Sequence, residues 1–495
     1  MRNDLWTAAV VKRDSTSNNR TTKIRIAKRG VLTFVQMWRV CALLGVLVTL
    51  GVAADDNRPL GERTRQYLTD LVRLDTSNPP GNETRVAEYL KQAADAHGIP
   101  CEVLGGDPRR QNFIARLKGS GKGRPLLLMA HSDVVPVDRS LWTVDPFSAE
   151  TRNGVIYGRG TVDDKSLLAA ELAVMIEIKR RNIKLGRDLI LLSESDEESG
   201  SSGIEWIIQH QFGKIDAEFA LNRGGYILET KDGPKIFQIA TTEKIPTRMI
   251  LTAKGTAGSG SLPRGDNPVL HLVRALAKLS EAEEPVRLNP ATRRYFRELS
   301  RLPEYAWLES IRRKLEDPST AQGAAGQIRA HDLDLDSMLH TTTVPTMLRA
   351  GLKINVIPNS AEAQLDVERM PTESREEVLT RFRQIVNDPT IDIAFAPGAQ
   401  MPATEPSSIT TPLYVAIQRA IGRMYPRDVV TPYMARVGTD GSFLRSHGMA
   451  VYGVPVFLKE GEIRAHGNDE RISSRNLEDG VELLWQMVLE TAGGS

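Results

Sequence analysis

Two short apolar runs, in Pro125–Ala130 and Asp188–Ser193, each lead straight into a polar cluster, and this limits the fold more sharply than any other feature. Runs of that length suit strands buried on both faces, which occur where helices cover a parallel sheet. Helical spacing of apolar residues in Arg63–Leu74, Arg85–His97, Ser166–Ile178 and Ser199–Gln211 supplies the covering layer. The order predicts an α/β fold with a mostly parallel central sheet covered by helices.

The rhythm changes after Pro246. Thr247–Ala253 alternates like a strand with one solvated face, Gly255–Gly260 reads as a flexible loop, and Pro268 sits just inside a helix running to about Leu279. A basic helical insertion follows over Arg293–Leu315, its arginine-rich face a solvated surface. Strands at Leu348–Val356 and Ala361–Val367, a helix at Ser374–Val386 and a strand at Ile391–Phe395 complete the order of a small sandwich. From Thr410 the first style returns with a helix, a glycine-rich turn, the strand Ala450–Val454 and a last helix from Leu477. One domain is thus expected inside another, with residues 247–398 inserted between 55–246 and 399–495.

At the other end, Met37-Trp38-Arg39 precedes an apolar stretch, Val40–Val52, that closes on Val52-Ala53-Ala54. A basic start, a short apolar segment and small residues make 1–54 an upstream segment followed by a signal-peptide pattern, the apolar part being too short for the roughly 20 residues of a membrane span. Export to the periplasm or outside the cell is expected, with no stable membrane span after processing. The basic residues before Met37 lack apolar periodicity, which makes Met37 a candidate translation start beside Met1.

Charge and cysteine narrow the chemistry. The net charge is +2, and residues 1–54 carry nine Lys or Arg against two Asp, so processing leaves −5 and no case for nucleic acid. Two cysteines cannot build a disulfide framework or a cysteine-rich metal site, so a metal must be held by His and carboxylates. Removing 1–54 removes Cys41 and leaves Cys101, expected as a buried thiol.

Four clusters carry candidate chemistry. His131-Ser132-Asp133 ends the first strand, where ligands bind in open α/β sheets; His131 can bind a metal while Asp133 holds its other ring nitrogen. Read alone, a histidine there is more often structural. Tyr157-Gly158-Arg159-Gly160-Thr161-Val162-Asp163-Asp164-Lys165 places two carboxylates at a helix start, where capping is the plain alternative. Glu194-Ser195-Asp196-Glu197-Glu198 follows the second strand; one glutamate can bind a metal while its neighbour reaches a water, although an acidic helix N-terminus explains the run equally well. Downstream, His466 lies in the polar loop Arg464–Ile472.

Together, in this order and spacing, the motifs resemble the zinc-dependent peptidase and amidohydrolase family of aminoacylase, carboxypeptidase G, yeast vacuolar carboxypeptidase S and succinyl-diaminopimelate desuccinylase, over about Arg63 to Val488. The resemblance implies that His131 binds one Zn(2+), Asp163 bridges two, and Glu198 and His466 bind the other, Co(2+) being a possible substitute. It further implies that Asp133 orients His131, that Glu197 is the general base, and that the Asp163–Asp164 peptide is cis. The domains become a catalytic domain in two parts, 55–246 and 399–495, and an α+β lid and dimerisation domain, 247–398, through which a homodimer forms.

Three positions depart from the family pattern. Leu221-Asn222-Arg223-Gly224-Gly225 puts arginine where the family has a liganding acid. At 4 Å and an effective dielectric near 20, a guanidinium repels a divalent ion by about 8 kcal/mol. Ser259, in Gly258-Ser259-Gly260-Ser261, replaces a histidine that stabilises the tetrahedral intermediate, and loss of such a donor costs about 2.7–4 kcal/mol. In Asp366-Val367-Glu368-Arg369 the family's Asp-x-Arg pattern is offset by one, so Arg369 faces away unless a bulge restores it. Two readings follow: a metal-dependent hydrolase of a peptide C-terminus or an N-acyl amino acid using one or two ions, or an impaired homologue that binds a peptide or amino acid without turnover.

Overall fold

The computed structural model describes residues 58–494, apart from 232, 399 and 462–464. The signal-peptide reading therefore lies outside the described residues. In chain order the strands used below are β1 (Cys101–Asp107), β2 (Arg110–Leu117), β3 (Gly123–His131), β4 (Arg187–Glu194), β5 (Phe219–Asn222), β6 (Tyr226–Leu228), β7 (Ile236–Glu243), β8 (Ile245–Pro246), β9 (Met249–Lys254), β10 (Gly258–Ser259), β11 (Thr342–Ala350), β12 (Val356–Ile357), β13 (Ser360–Arg369), β14 (Ile391–Phe395), β15 (Val429–Ala435) and β16 (Ala450–Gly453).

A nine-stranded sheet runs β1-β2-β4-β3-β5-β16-β7-β15, with β6 paired to β7. Its middle strands β4, β3, β5 and β16 are mutually parallel, flanked by antiparallel pairs. The two apolar runs are adjacent here: Leu126–Ala130 and Leu189–Leu192 are wholly buried. The helix Lys165–Arg180 covers one face and is itself buried almost all round, packing with Leu60–Val72 and Ser474–Ala492. Ile204, Ile207, Phe443 and Leu444 close the other face. This is the α/β architecture the sequence pattern predicts.

A second sheet, of β8, β9, β11, β13 and β14, has its own core, in which Met249, Leu251, Ala363 and Leu365 meet Leu272, Val378 and Phe382 of two helices, Pro268–Glu281 and Arg375–Val386. Asn267 and Ser374 cap those helices through their side chains. The helical stretch from Pro290 does not join this core. Tyr295, Phe296 and Leu299 pack with Tyr433, Met434 and Ala435, covering the edge strand β15 of the large sheet.

Local differences have local causes. The strand expected at Leu348–Val356 runs over Thr342–Ala350 and turns at Gly351, whose φ of +66° suits a residue without Cβ. The loop expected at Gly255–Gly260 contains β10, a two-residue pairing with β12. Strand β15 was not expected, and its half-buried start and central Pro432 explain the weak signal. Cys101 is half-buried rather than buried, its thiol directed at Asp95 Oδ1 at 3.5 Å. Among the described residues no helix is long and apolar enough to cross a membrane.

Candidate metal and catalytic site

Because β3, β4 and β5 are parallel and adjacent, His131, Glu194 and Asn222 end at one edge of the sheet, with His131 registered opposite Glu194. His131 and Asp133 are fully buried. The ring Nδ1 of His131 lies 3.0 Å from the Asp133 carbonyl and 3.3 Å from its Oδ1, which leaves Nε2 3.0 Å from Asp163 Oδ1. Asp133 also accepts from Asn78 Nδ2 at 2.8 Å and from the amides of Glu197 and Glu198 at 3.1 Å each. One carboxylate thus aims the histidine and pins the acidic turn. Burial alone would raise its pKa, but the donors from His131, Asn78 and the Glu198 amide hold it below the usual range.

Asp163 stands just ahead of the helix Lys165–Arg180, and its peptide with Asp164 is cis, as expected. Capping does not account for this pair: the Asp164 side chain makes no cap bond, its Oδ2 is buried without a partner, and burial pushes its carboxyl up to about 8. The backbone before Asp163 is fixed by Glu470, whose Oε1 accepts from the amides of Val162 at 2.7 Å and Asp163 at 3.1 Å while Oε2 takes Arg159 Nη1 at 2.6 Å.

The remaining groups converge on Asp163. His466 Nε2 lies 3.0 Å from Glu198 Oε1 and 3.4 Å from Asp163 Oδ2, and these two acids push its imidazole up to about 10. Arg223, just past β5, donates from Nη2 to Asp163 Oδ2 at 2.5 Å and from Nη1 to Glu197 Oε1 at 2.8 Å. Burial raises the Glu197 carboxyl to about 7 against the pull of Arg223. Ligand atoms of His131, Asp163 and Glu198 lie within 4.8 Å of one another, close enough to hold a metal ion together. Both turns that carry the outer groups use the left-handed region, at Asp196 (φ +70°) and His466 (φ +63°), an expense typical of functional loops.

All six residues singled out in the sequence, His131, Asp133, Asp163, Glu197, Glu198 and His466, meet at this one place. Asn78, Glu470 and Arg159 were missed as positioning groups. Glu470 and Arg159 lie inside quoted polar stretches, whereas Asn78, in a proline-flanked turn, gave no signal.

The site opens into a cleft of about 730 Å³ whose far wall includes Lys244, Arg248, Asp366, Glu368 and Arg436. Arg369 does not reach it. Pairing of β13 with β8 and β11 is continuous across 366–369, without a bulge in β13, and Arg369 bonds Thr247 Oγ1 and the Glu373 carbonyl on the other side. Ser259 is exposed on β10 and bonded to Ser261, outside the residues that line the cleft.

A family model described as peptidase family M20/M25/M40 matches residues 127–490. The chain belongs to peptidase family M20. Among curated relatives, the human N-fatty-acyl-amino acid synthase/hydrolase PM20D1 is 27% identical over 443 residues, covering 86% of this chain and 87% of that protein. A probable carboxypeptidase S-like 2 of Dictyostelium discoideum is 28% identical over 384 residues, 74% of this chain and 72% of that one. Among solved structures, the M20 family metallo-carboxypeptidase Sso-CP2 of Sulfolobus solfataricus superposes with a TM-score of 0.68 at 21% identity, covering 86% of this chain and 98% of that one. The fold of this M20 chain is that of the family's metallopeptidases, and the chain is an M20 hydrolase of amide bonds, a family in which metal dependence is typical.

Proposed function

We propose that this M20 chain hydrolyses an amide with one divalent ion, zinc, held by Asp163, Glu198 and His466, and with Glu197 as general base. The observation that carries the reading is the convergence of Glu198, His466 and Asp163 beside a buried Glu197, with Asp163 Oδ2 shared between His466 and the Arg223 guanidinium. Two carboxylates and an imidazole suit zinc and leave an open position for substrate. A second ion is disfavoured, because Arg223 brings a fixed positive charge against Asp163 and Glu197.

When bound, the ion supplies Lewis-acid polarisation of the amide carbonyl and acidifies water. The protein's own part is proton handling. Glu197 Oε1 is engaged by Arg223, so Oε2 takes the proton of the attacking water and returns it to the leaving nitrogen. Asp133 keeps His131 and the Glu197–Glu198 turn in place. A carboxylate and a free amine are released.

The names of the relatives support an N-acyl amino acid or a peptide C-terminus as substrate. Residues 247–398 are assigned as the lid, and Leu348 on the outer strand β11, registered opposite the core residue Ala363, joins Leu270 and Val273 of the adjoining helix in an exposed apolar face that suits a homodimer. The signal-peptide pattern supports a secreted or periplasmic site of action.

Stripping the purified protein with a chelator and restoring zinc or cobalt tests the proposal. Hydrolysis of dipeptides and N-acyl amino acids should vanish and return, with one ion per chain. No bound zinc and no restored turnover would remove it. One observation favours a second reading, binding without turnover: Arg223 sits directly on the proposed base. Calorimetric binding of amino acids by a zinc-loaded protein that cuts none of their acyl derivatives would select that reading.

A further inference from the structure

Arg369 is absent from the cleft wall, and the residue of β13 that faces the cleft beside it, Glu368, is an acid. Alternation along β13 sends Val367 into the lid core and Arg369 to the buried side, while Asp366 and Glu368 turn to the cleft. Glu368 Oε2 is shielded from solvent and accepts no hydrogen bond from the described residues. The cations near it are already engaged. Lys244 Nζ donates to the Ser337 carbonyl at 3.0 Å and to Thr342 Oγ1 at 2.9 Å, and Arg248 Nε lies 3.7 Å from Asp366.

A buried acceptor without a donor is costly, and the cost is recovered when a ligand brings the donor. A substrate carboxylate at this wall would lie against the oxygens of Asp366 and Glu368, with the neighbouring Lys244, Arg248 and Arg436 each already directed at a protein acceptor. We propose that Glu368 is a specificity-determining residue that selects amides whose leaving amino acid carries a cationic side chain, lysine or arginine. The inference rests on the reading of the site as an amide hydrolase, and it names the substrate class. Burial and Asp366 also push the Glu368 carboxyl up to about 8, as expected of an acid lacking its partner.

The test uses the zinc-loaded full chain in two arms. The first measures kcat/KM on the N-acetyl derivatives of arginine, lysine, norleucine and glutamate. The second measures calorimetric binding of the four free amino acids, which requires no turnover. The wild type should favour arginine and lysine over norleucine by about tenfold or more, the scale of a charge-assisted hydrogen bond, with glutamate last. In Glu368→Gln that ratio should collapse in both arms, and Glu368→Arg should move the preference towards glutamate. A wild type that prefers glutamate, or a basic-side-chain preference unchanged in Glu368→Gln, overturns the inference. Turnover without a cationic preference rejects this inference alone. Selective binding of lysine and arginine that depends on Glu368, without cleavage of any acetyl derivative, rejects the hydrolase reading and upholds the cation site.

Discussion

The floor of the cleft and the wall built by the second sheet both present carboxylates, but they satisfy them differently. On the floor each of the four acids assigned to the reaction has a donor: Asp133 has His131, Asn78 and two amides, Asp163 has His131, His466 and Arg223, Glu197 has Arg223, and Glu198 has His466. On the wall, among the described residues, Glu368 Oε2 has none and Asp366 has a distant arginine. A preorganised floor suits a reaction in which charge must be stabilised without rearrangement. An acceptor left open on the wall suits recognition, because the missing partner can arrive with the substrate.

Breaking the floor at its base should have the largest effect. Glu197→Gln keeps the shape and an acceptor for Arg223 but cannot take a proton, so kcat should fall by about 10²–10⁴-fold. Zinc content, measured by elemental analysis, should stay at the wild-type level, since Glu197 is not among the proposed ligands. A fall in zinc matching the fall in rate would make Glu197 a ligand instead.

Arg223→Glu asks whether the floor's second cation is exchangeable. The guanidinium now neutralises Asp163 and Glu197 from within the chain. An acid there restores the donor type the family has at this position and removes a repulsion of about 8 kcal/mol at 4 Å and a dielectric near 20. Anomalous scattering at the zinc edge should then count two ions per chain in the variant against one in the wild type. Two ions in the wild type would mean that Arg223 swings out of the site.

The floor was far more legible in the sequence than the wall, for a physical reason. His131 and Glu197–Glu198 follow apolar runs whose burial marks the strand ends, so their place in the sheet could be read from the pattern, while their roles came from the family resemblance. Arg223 stood out as a departure from the family's motif, an arginine in place of an acid. Glu470 holds the Asp163 backbone from more than 300 residues away, and no local pattern announces a contact of that range. On the wall, alternation in Asp366-Val367-Glu368-Arg369 correctly turned Arg369 away, but the open oxygen of Glu368 depends on what Lys244 and Arg248 bond to, which only the packed chain decides. The misplacement of β11 has a similar origin: its residues are mostly exposed, so burial leaves no imprint on its pattern.

The smallest expected effect concerns the stability of the wall. The Glu368 carboxyl is raised from 4.5 to about 8, so the folded chain binds that proton more tightly than the unfolded chain does. The stabilisation from the bound proton is complete below pH 4.5 and is lost as pH rises through about 8. Glu368→Gln has no such proton to lose. Its melting temperature relative to the wild type should therefore climb between pH 5 and 8, by about 2 °C at the upper end on an order-of-magnitude basis. Lys244 titrates in the same region, its pKa lowered by burial to about 8, but it is present in both proteins and its main contribution cancels in the difference. Saturating lysine should reverse the trend in the wild type alone, because a bound cation favours the ionised carboxylate and is held by the folded chain only. A pH-independent difference, with or without lysine, would mean that Glu368 already has its partner within the protein.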